Sequence, residues 1–381
     1  MREEREISLV TNVSVLGETV CAVVIEYPTE VDGSRLTPEY FSVRTKVLNR
    51  YVQRTITKVF ANNSDETTFN MFRNKGKFVI LELDPHDQFS KTFQFDANAF
   101  LNRPVAIDYL IAQVVPIEDA SGHELMPFVC KQTHVKRQII DEFSSFVFKG
   151  SEAFEIPYRL FIPKDAEQNA KYPLVVFLHG AGARGTDNHI QLAENQGATV
   201  WAHPKHQAVH PCFVLAPQCP PNDSWSTLFT DPQNPFNPGK PLLTVIKIIE
   251  KLLNEYNIDE NRVYITGLSM GGYGTWAATM NFPELFAAAI PICGGGDVNK
   301  VSQIKHIPIW AFHAEDDGIV PVDHSRYLVK ALSRIGGNVR YTEFEKGYLT
   351  SRGFDPHWSW IAAYENSQVI EWLFDQKRRQ N

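Results

Sequence analysis

Several classes of protein are excluded by what this sequence has little of. Its five cysteines (Cys21, Cys130, Cys212, Cys219, Cys293) are odd in number and never spaced Cys-x-x-Cys, so neither a disulfide framework nor a zinc site is expected. No apolar run approaches the roughly 18 residues of a membrane-spanning helix. No run of Lys and Arg is longer than the terminal "KRR", and the net charge is -7 with a pI near 6.0; nucleic acid is therefore not an expected partner. The start "MREEREISLV" lacks the apolar core of a signal peptide, which leaves either a cytosolic protein or a secreted one whose signal has been removed. Nothing repeats internally.

What is present is an ordinary folded composition, 43% hydrophobic, 12% aromatic and 21% charged, in a chain of 381 residues, long enough for two domains. From Ile7 to about Cys130, short alternating or β-branched runs ("ISLVTNVSV", "TVCAVVIEY", "KFVILEL") are separated by turn clusters such as "VDGS" and "EDASG". This spacing predicts an antiparallel β-sandwich over residues 1–138. No tryptophan precedes Trp201, so the Cys, Trp, Cys signature of an antibody domain is absent. After a charged, Phe-rich bridge, "KRQIIDEFSSFVFKG", apolar strands ("PLVVFL", "FVLAP", "VYIT", "FAAAIPIC", "IPIWAFH") alternate with helix-like runs such as "LLTVIKIIEKLLNEY". That alternation predicts a doubly wound, mostly parallel sheet covered by helices over residues 139–381.

In such a sheet functional residues sit at the carboxyl ends of strands. "VYITGLSMGGYGTWA" sets Ser269 between Gly267 and Gly271, after a strand and before a helix. Gly-x-Ser-x-Gly alone occurs by chance in roughly one chain in ten of this length, and a serine there can simply cap a helix. The strand, turn and helix context is what a nucleophile elbow requires. A serine hydroxyl needs an imidazole to take its proton and a carboxylate to orient that imidazole. "WAFHAEDDGIVPVDHS" offers Asp316 and Asp317 in a loop after a strand. Beyond them lie only His324, at a helix start, and His357, in the Gly/Pro loop "SRGFDPHWSW"; His357 is the better-placed base. An oxyanion hole needs two backbone N–H groups: one comes from Met270, the other from the loop "VVFLHGAGARGTDN". That loop lacks both G-x-G-x-x-G and a terminal Gly-Lys-Ser/Thr, which argues against a dinucleotide or phosphate site.

Through "LHGAGARGTDN", "APQCP…W", "GLSMGGYGTW", "HAEDDGIVP" and "HWSW", the chain from about Phe143 onward resembles the α/β-hydrolase esterases of the phospholipase/carboxylesterase and polyhydroxybutyrate-depolymerase-like group. The whole architecture resembles bacterial esterases with an N-terminal immunoglobulin-like domain. The resemblance implies Ser269 as nucleophile, His357 as base, and Asp317 as acid, four residues before the proline of "D-x-x-V-P". It further implies the N–H of Ala181 as second oxyanion donor and Trp225, in "CPPNDSW", as a cleft residue. One departure is Pro356, where relatives often have glycine before the histidine.

The expected activity is a serine carboxylesterase acting on carboxylic esters, of short to medium acyl chain or of feruloyl or acetyl-sugar type, with no cofactor and no metal. The imidazoles of His203, His206 and His210 read as a polar helix face or loop. The Pro- and Asn-rich segment Gln218 to Lys240 reads as a cleft wall or lid. A prolyl-oligopeptidase-type serine peptidase and an inert carbohydrate-binding or adhesion protein are the alternatives. The N-terminal domain is expected to cover the hydrolase domain or to hold subunits of a homo-oligomer.

Overall fold

Period-two burial organises the first third of the chain. In the computed structural model, which describes residues 5–68, 74–150, 154–164, 170–231 and 233–378, strands there form two sheets. One has the order His134–Arg137, Ile7–Ser14, Gly17–Asp32, Lys75–Leu83, Ile56–Asn62; the other runs Phe128–Lys131, Tyr109–Gln113, Phe41–Val47, Arg50–Arg54. Leu9, Val23, Ile25 and Leu81 of the first sheet meet Phe41, Val43 and Ile111 of the second in one apolar cluster, the aligned sandwich that alternating strands produce. The pairing is antiparallel apart from the parallel pair Ile7–Ser14 with His134–Arg137.

The second architecture is an eight-stranded sheet in the order Phe143–Lys149, Glu155–Phe161, Phe213–Pro217, Tyr172–Leu178, Ile258–Leu268, Ala288–Ile292, Ile309–Ala314, Val339–Phe344. From Phe213–Pro217 onward all neighbours are parallel. Apart from Tyr172 at the start of its strand, the strands Phe213–Pro217, Tyr172–Leu178 and Ala288–Ile292 are buried along their length, as expected when helices cover both faces. Those helices include Lys240–Glu255, Met270–Asn281, Asp323–Arg334 and Ser367–Phe374. The "FSSFVFK" part of the bridge is an antiparallel edge strand of this sheet. Among the described residues no helix is long and apolar enough to cross a membrane.

By contacts the chain divides into Met1–Gln94 with Pro104–Asp141, and Phe95–Arg103 with Glu142–Asn381. The change of unit after Asp141 lies three residues beyond the sequence boundary, and composition gave no sign of the excursion at Phe95–Arg103. That excursion is the turn of a hairpin pairing Phe93–Asp96 with Leu101–Pro104.

Candidate active site

The strand Ile258–Leu268 ends in a turn so tight that Ser269 is held at φ 53, ψ -119, a conformation that costs a non-glycine residue of order 1–3 kcal/mol. The flanking glycines are there for space. A Cβ on Gly267 would stand 2.4 Å from the Gly271 carbonyl oxygen, and one on Gly271 would stand 1.9 Å from that of Leu178. Met270 opens the following helix, so its N–H has no intrahelical acceptor.

Three side chains converge on this turn. The Ser269 hydroxyl lies 3.0 Å from His357 Nε2, and His357 Nδ1 lies 2.8 Å from Asp317 Oδ2. A carboxylate can only accept, so Nδ1 carries the proton and Nε2 is left to accept from Ser269. Pro356 does not turn the ring away, because the Asp355 carboxylate accepts the His357 backbone N–H at 2.8 Å and shapes the loop around it. The Asp317 side chain is fully buried. Burial works to raise its pKa, but donors on His313, His357 and the Val320 amide outweigh that and hold the carboxyl well below the usual carboxylate range. Its Oδ1 takes the N–H groups of Ile319 and Val320 at 2.8 and 2.9 Å.

Asp316 points elsewhere and accepts the N–H of Gly347 at 2.9 Å. His324 is likewise outside the cluster, with its Nδ1 2.6 Å from the Tyr273 hydroxyl. Cys293 joins it instead: one ligand atom each from Cys293, Asp317 and His357 lie within 4.8 Å of one another. Burial pushes that thiol up, so it fills space as an uncharged group. His210 Nε2–H donates to the Glu371 carboxylate at 2.8 Å, and the ring stacks on Phe374.

Opposite the serine, Gly180 lies in the loop after Tyr172–Leu178, and a Cβ there would lie 3.8 Å from that of Ser269. Ala181 starts a single 3-10 turn, Ala181–Ala183. Behind this turn His179 is completely buried, which lowers its pKa to about 4. Its Nε2 accepts the Cys219 N–H at 2.9 Å, so the proton sits on Nδ1 and is donated to the Gly180 carbonyl at 2.6 Å. Trp225 corrects an expectation. Its indole is fully buried and donates to the His179 carbonyl at 2.9 Å, so it supports the loop from below and presents no surface to a cleft.

The segment Gln218 to Lys240, apart from Pro232, which lies outside the described residues, doubles back on itself. Gly239 N–H donates to Trp225 O and Thr227 N–H to Asn237 O, each at 2.9 Å, and the Phe236 ring stacks on Tyr273. No sequence signal marks the hairpin around Phe95–Arg103 as part of this region: Asn102 Nδ2 donates to Glu194 at 2.7 Å, and a Cβ on Gly182 would meet both residues.

Known proteins supply the context for this geometry. Residues 6–126 match the family described as the esterase Ig-like N-terminal domain, and residues 239–311 match the prolyl oligopeptidase family. A solved thermostable esterase is 64% identical over 98% of this chain and 100% of its own, with a TM-score of 0.96. Poly(3-hydroxyalkanoate) depolymerase C of Paucimonas lemoignei is 31% identical over 35% of this chain and 30% of its own length. The bifunctional acetylxylan esterase/xylanase XynS20E of Neocallimastix patriciarum is 38% identical over 20% of this chain and 11% of its own length. The chain thus spans less than a third of each of these two curated relatives.

Proposed function

The chain belongs to the α/β-hydrolase esterases that carry an immunoglobulin-like N-terminal domain, and from that premise we propose that it cleaves carboxylic esters through an acyl-enzyme on Ser269. The observation that carries the reading is the 3.0 Å contact between the Ser269 hydroxyl and a His357 ring whose other nitrogen is committed to Asp317. His357 Nε2 takes the hydroxyl proton as Ser269 Oγ attacks the ester carbonyl. Asp317 keeps the imidazole in the required tautomer and stabilises the imidazolium that forms. The N–H groups of Met270 and Ala181 receive the oxyanion. His357 then returns the proton to the departing alcohol, and water, deprotonated by the same nitrogen, releases the acid.

No cofactor enters this scheme. The relatives' names favour an ester carried on a polymer, acetyl-sugar or hydroxyalkanoate, with a short to medium acyl group. A feruloyl ester is the other substrate the same chemistry admits. The match of residues 239–311 to the prolyl oligopeptidase family favours amide cleavage as a second reading.

Ser269→Ala tests the nucleophile. It should abolish p-nitrophenyl ester turnover and fluorophosphonate labelling with the melting temperature unchanged, and residual turnover above about 1% of the parent, beyond the noncovalent contribution, would remove Ser269 from its role. Parallel rates on acetyl-xylan, feruloyl and peptide-amide substrates then choose among the substrate classes.

A further inference from the structure

His313 is the penultimate residue of the strand Ile309–Ala314, four residues before Asp317, and is fully buried. Its Nε2 faces two groups that can only accept: the Val320 carbonyl at 3.0 Å and Asp317 Oδ2 at 3.2 Å. That nitrogen must therefore carry a proton. Its Nδ1 lies 2.8 Å from the Ser325 hydroxyl, and Ser325 in turn lies 3.3 Å from the Gly294 carbonyl. One buried ring thus connects the acid loop, the helix Asp323–Arg334 and the segment after Ala288–Ile292.

We propose that His313 is a positioning residue for the acid, its Nε2–H holding Asp317 Oδ2 in line with His357 Nδ1. The inference rests on the Ser269, His357, Asp317 reading. The two backbone donors reach only Oδ1, which leaves the carboxylate free to turn about its own axis. Oδ2 has two donors, His357 and His313, and only His313 is fixed to the sheet. It therefore sets the direction from which the catalytic ring is received. The charged and titratable groups that it faces besides Asp317 are His324, on the same helix as Ser325, and Glu343, on the neighbouring strand.

His313→Leu removes the donor, and His313→Gln restores an N–H near the same place. Loss of that bond leaves Oδ2 a stronger acceptor for the His357 imidazolium, so the acidic limb of kcat/KM should move up, by roughly half a pH unit or more. At the plateau kcat should fall about ten- to a hundredfold, the value of one hydrogen bond to a charged group, with KM little changed. His313→Gln should recover most of kcat and return the limb. A ring that merely fills space would show Leu and Gln variants equally impaired with the limb unmoved, and that result, or a Leu variant with parental kcat and limb, overturns the proposal.

If His313→Leu does not fold, the Gln variant alone decides: near-parental kcat and limb support the proposal, and a folded Gln variant as slow as Asp317→Asn refutes it. Failure of the underlying triad is recognised separately, because Asp317→Asn would then keep full activity whatever His313 does.

Discussion

Acid should loosen the hydrolase unit through one histidine that takes no part in proton transfer. His179 is enclosed beneath the oxyanion loop, where burial lowers its pKa from 6.5 to about 4. In the unfolded chain the same ring takes up a proton as pH falls through 6.5; in the folded chain it resists until about pH 4. Between these values the unfolded state binds more protons, so stability declines with falling pH and the contribution is intact above 6.5. The gap between 6.5 and about 4, at 1.36 kcal/mol for each unit, makes the total loss about 3 kcal/mol. The structure gives the same sign independently, because a proton on Nε2 would confront the Cys219 N–H that now donates to it. Urea unfolding from pH 7.5 to 4 followed by tryptophan emission reports on this unit alone, since all seven tryptophans lie at Trp201 or beyond. His179→Gln should be less stable at pH 7.5 yet lose less on acidification. His206 and His324, also lowered by burial, titrate alike in both proteins and cancel in the comparison. Parallel pH dependences for parent and variant would refute the argument.

Two further outcomes follow from the geometry around Ser269. Asp317→Asn should lower kcat by about four orders of magnitude by disturbing the His357 tautomer; Asp316→Asn, whose carboxylate meets only the Gly347 amide among the bonds described, should stay within about threefold of the parent, and steady-state ester kinetics compare the two. Gly271→Ala drives a Cβ into the Leu178 carbonyl and should cost about 3 kcal/mol or more. Gly318→Ala, with nothing within 4 Å of the new atom, should melt as the parent does in a thermal scan.

The elbow was legible because its constraints are local. A strand, two glycines that no side chain can replace and a helix lie within some twenty consecutive residues, and each leaves its mark on composition. The buried parallel strands were equally plain, since burial on both faces leaves them mostly apolar, with few polar residues such as Thr266 and His313. Strands at the sheet edge were harder: Phe143–Lys149 is half solvated and carries serines and a lysine, so its alternation read as a bridge. Val339–Phe344 is only partly buried along its length and left no apolar run to notice. Long-range contacts were invisible for a different reason. Nothing around Trp225 in the sequence says whether an indole in a Pro-rich loop faces solvent or the underside of a turn. His313 did carry a signal, a histidine near the end of an apolar strand four residues before the acid, where a polar ring is buried only with partners.

The hairpin Phe95–Arg103 changes how the two units are joined as a chain. Contacts assign it to the second unit while its neighbours in sequence belong to the first, so the polypeptide passes from one to the other at 94/95, 103/104 and 141/142. A protease that cuts at 141/142 therefore gives two polypeptides, and the nine residues 95–103 stay on the first although contacts assign them to the second unit. A gene fragment beginning at Glu142 encodes the second unit without the nine residues that include Asn102 and its bond to Glu194. During synthesis those residues are made first and must wait for about a hundred and fifty more before the strand Ile258–Leu268 exists. The second unit is therefore complete only when an early segment has been kept available to a late one, and the two parts of this protein are not interchangeable beads on a string.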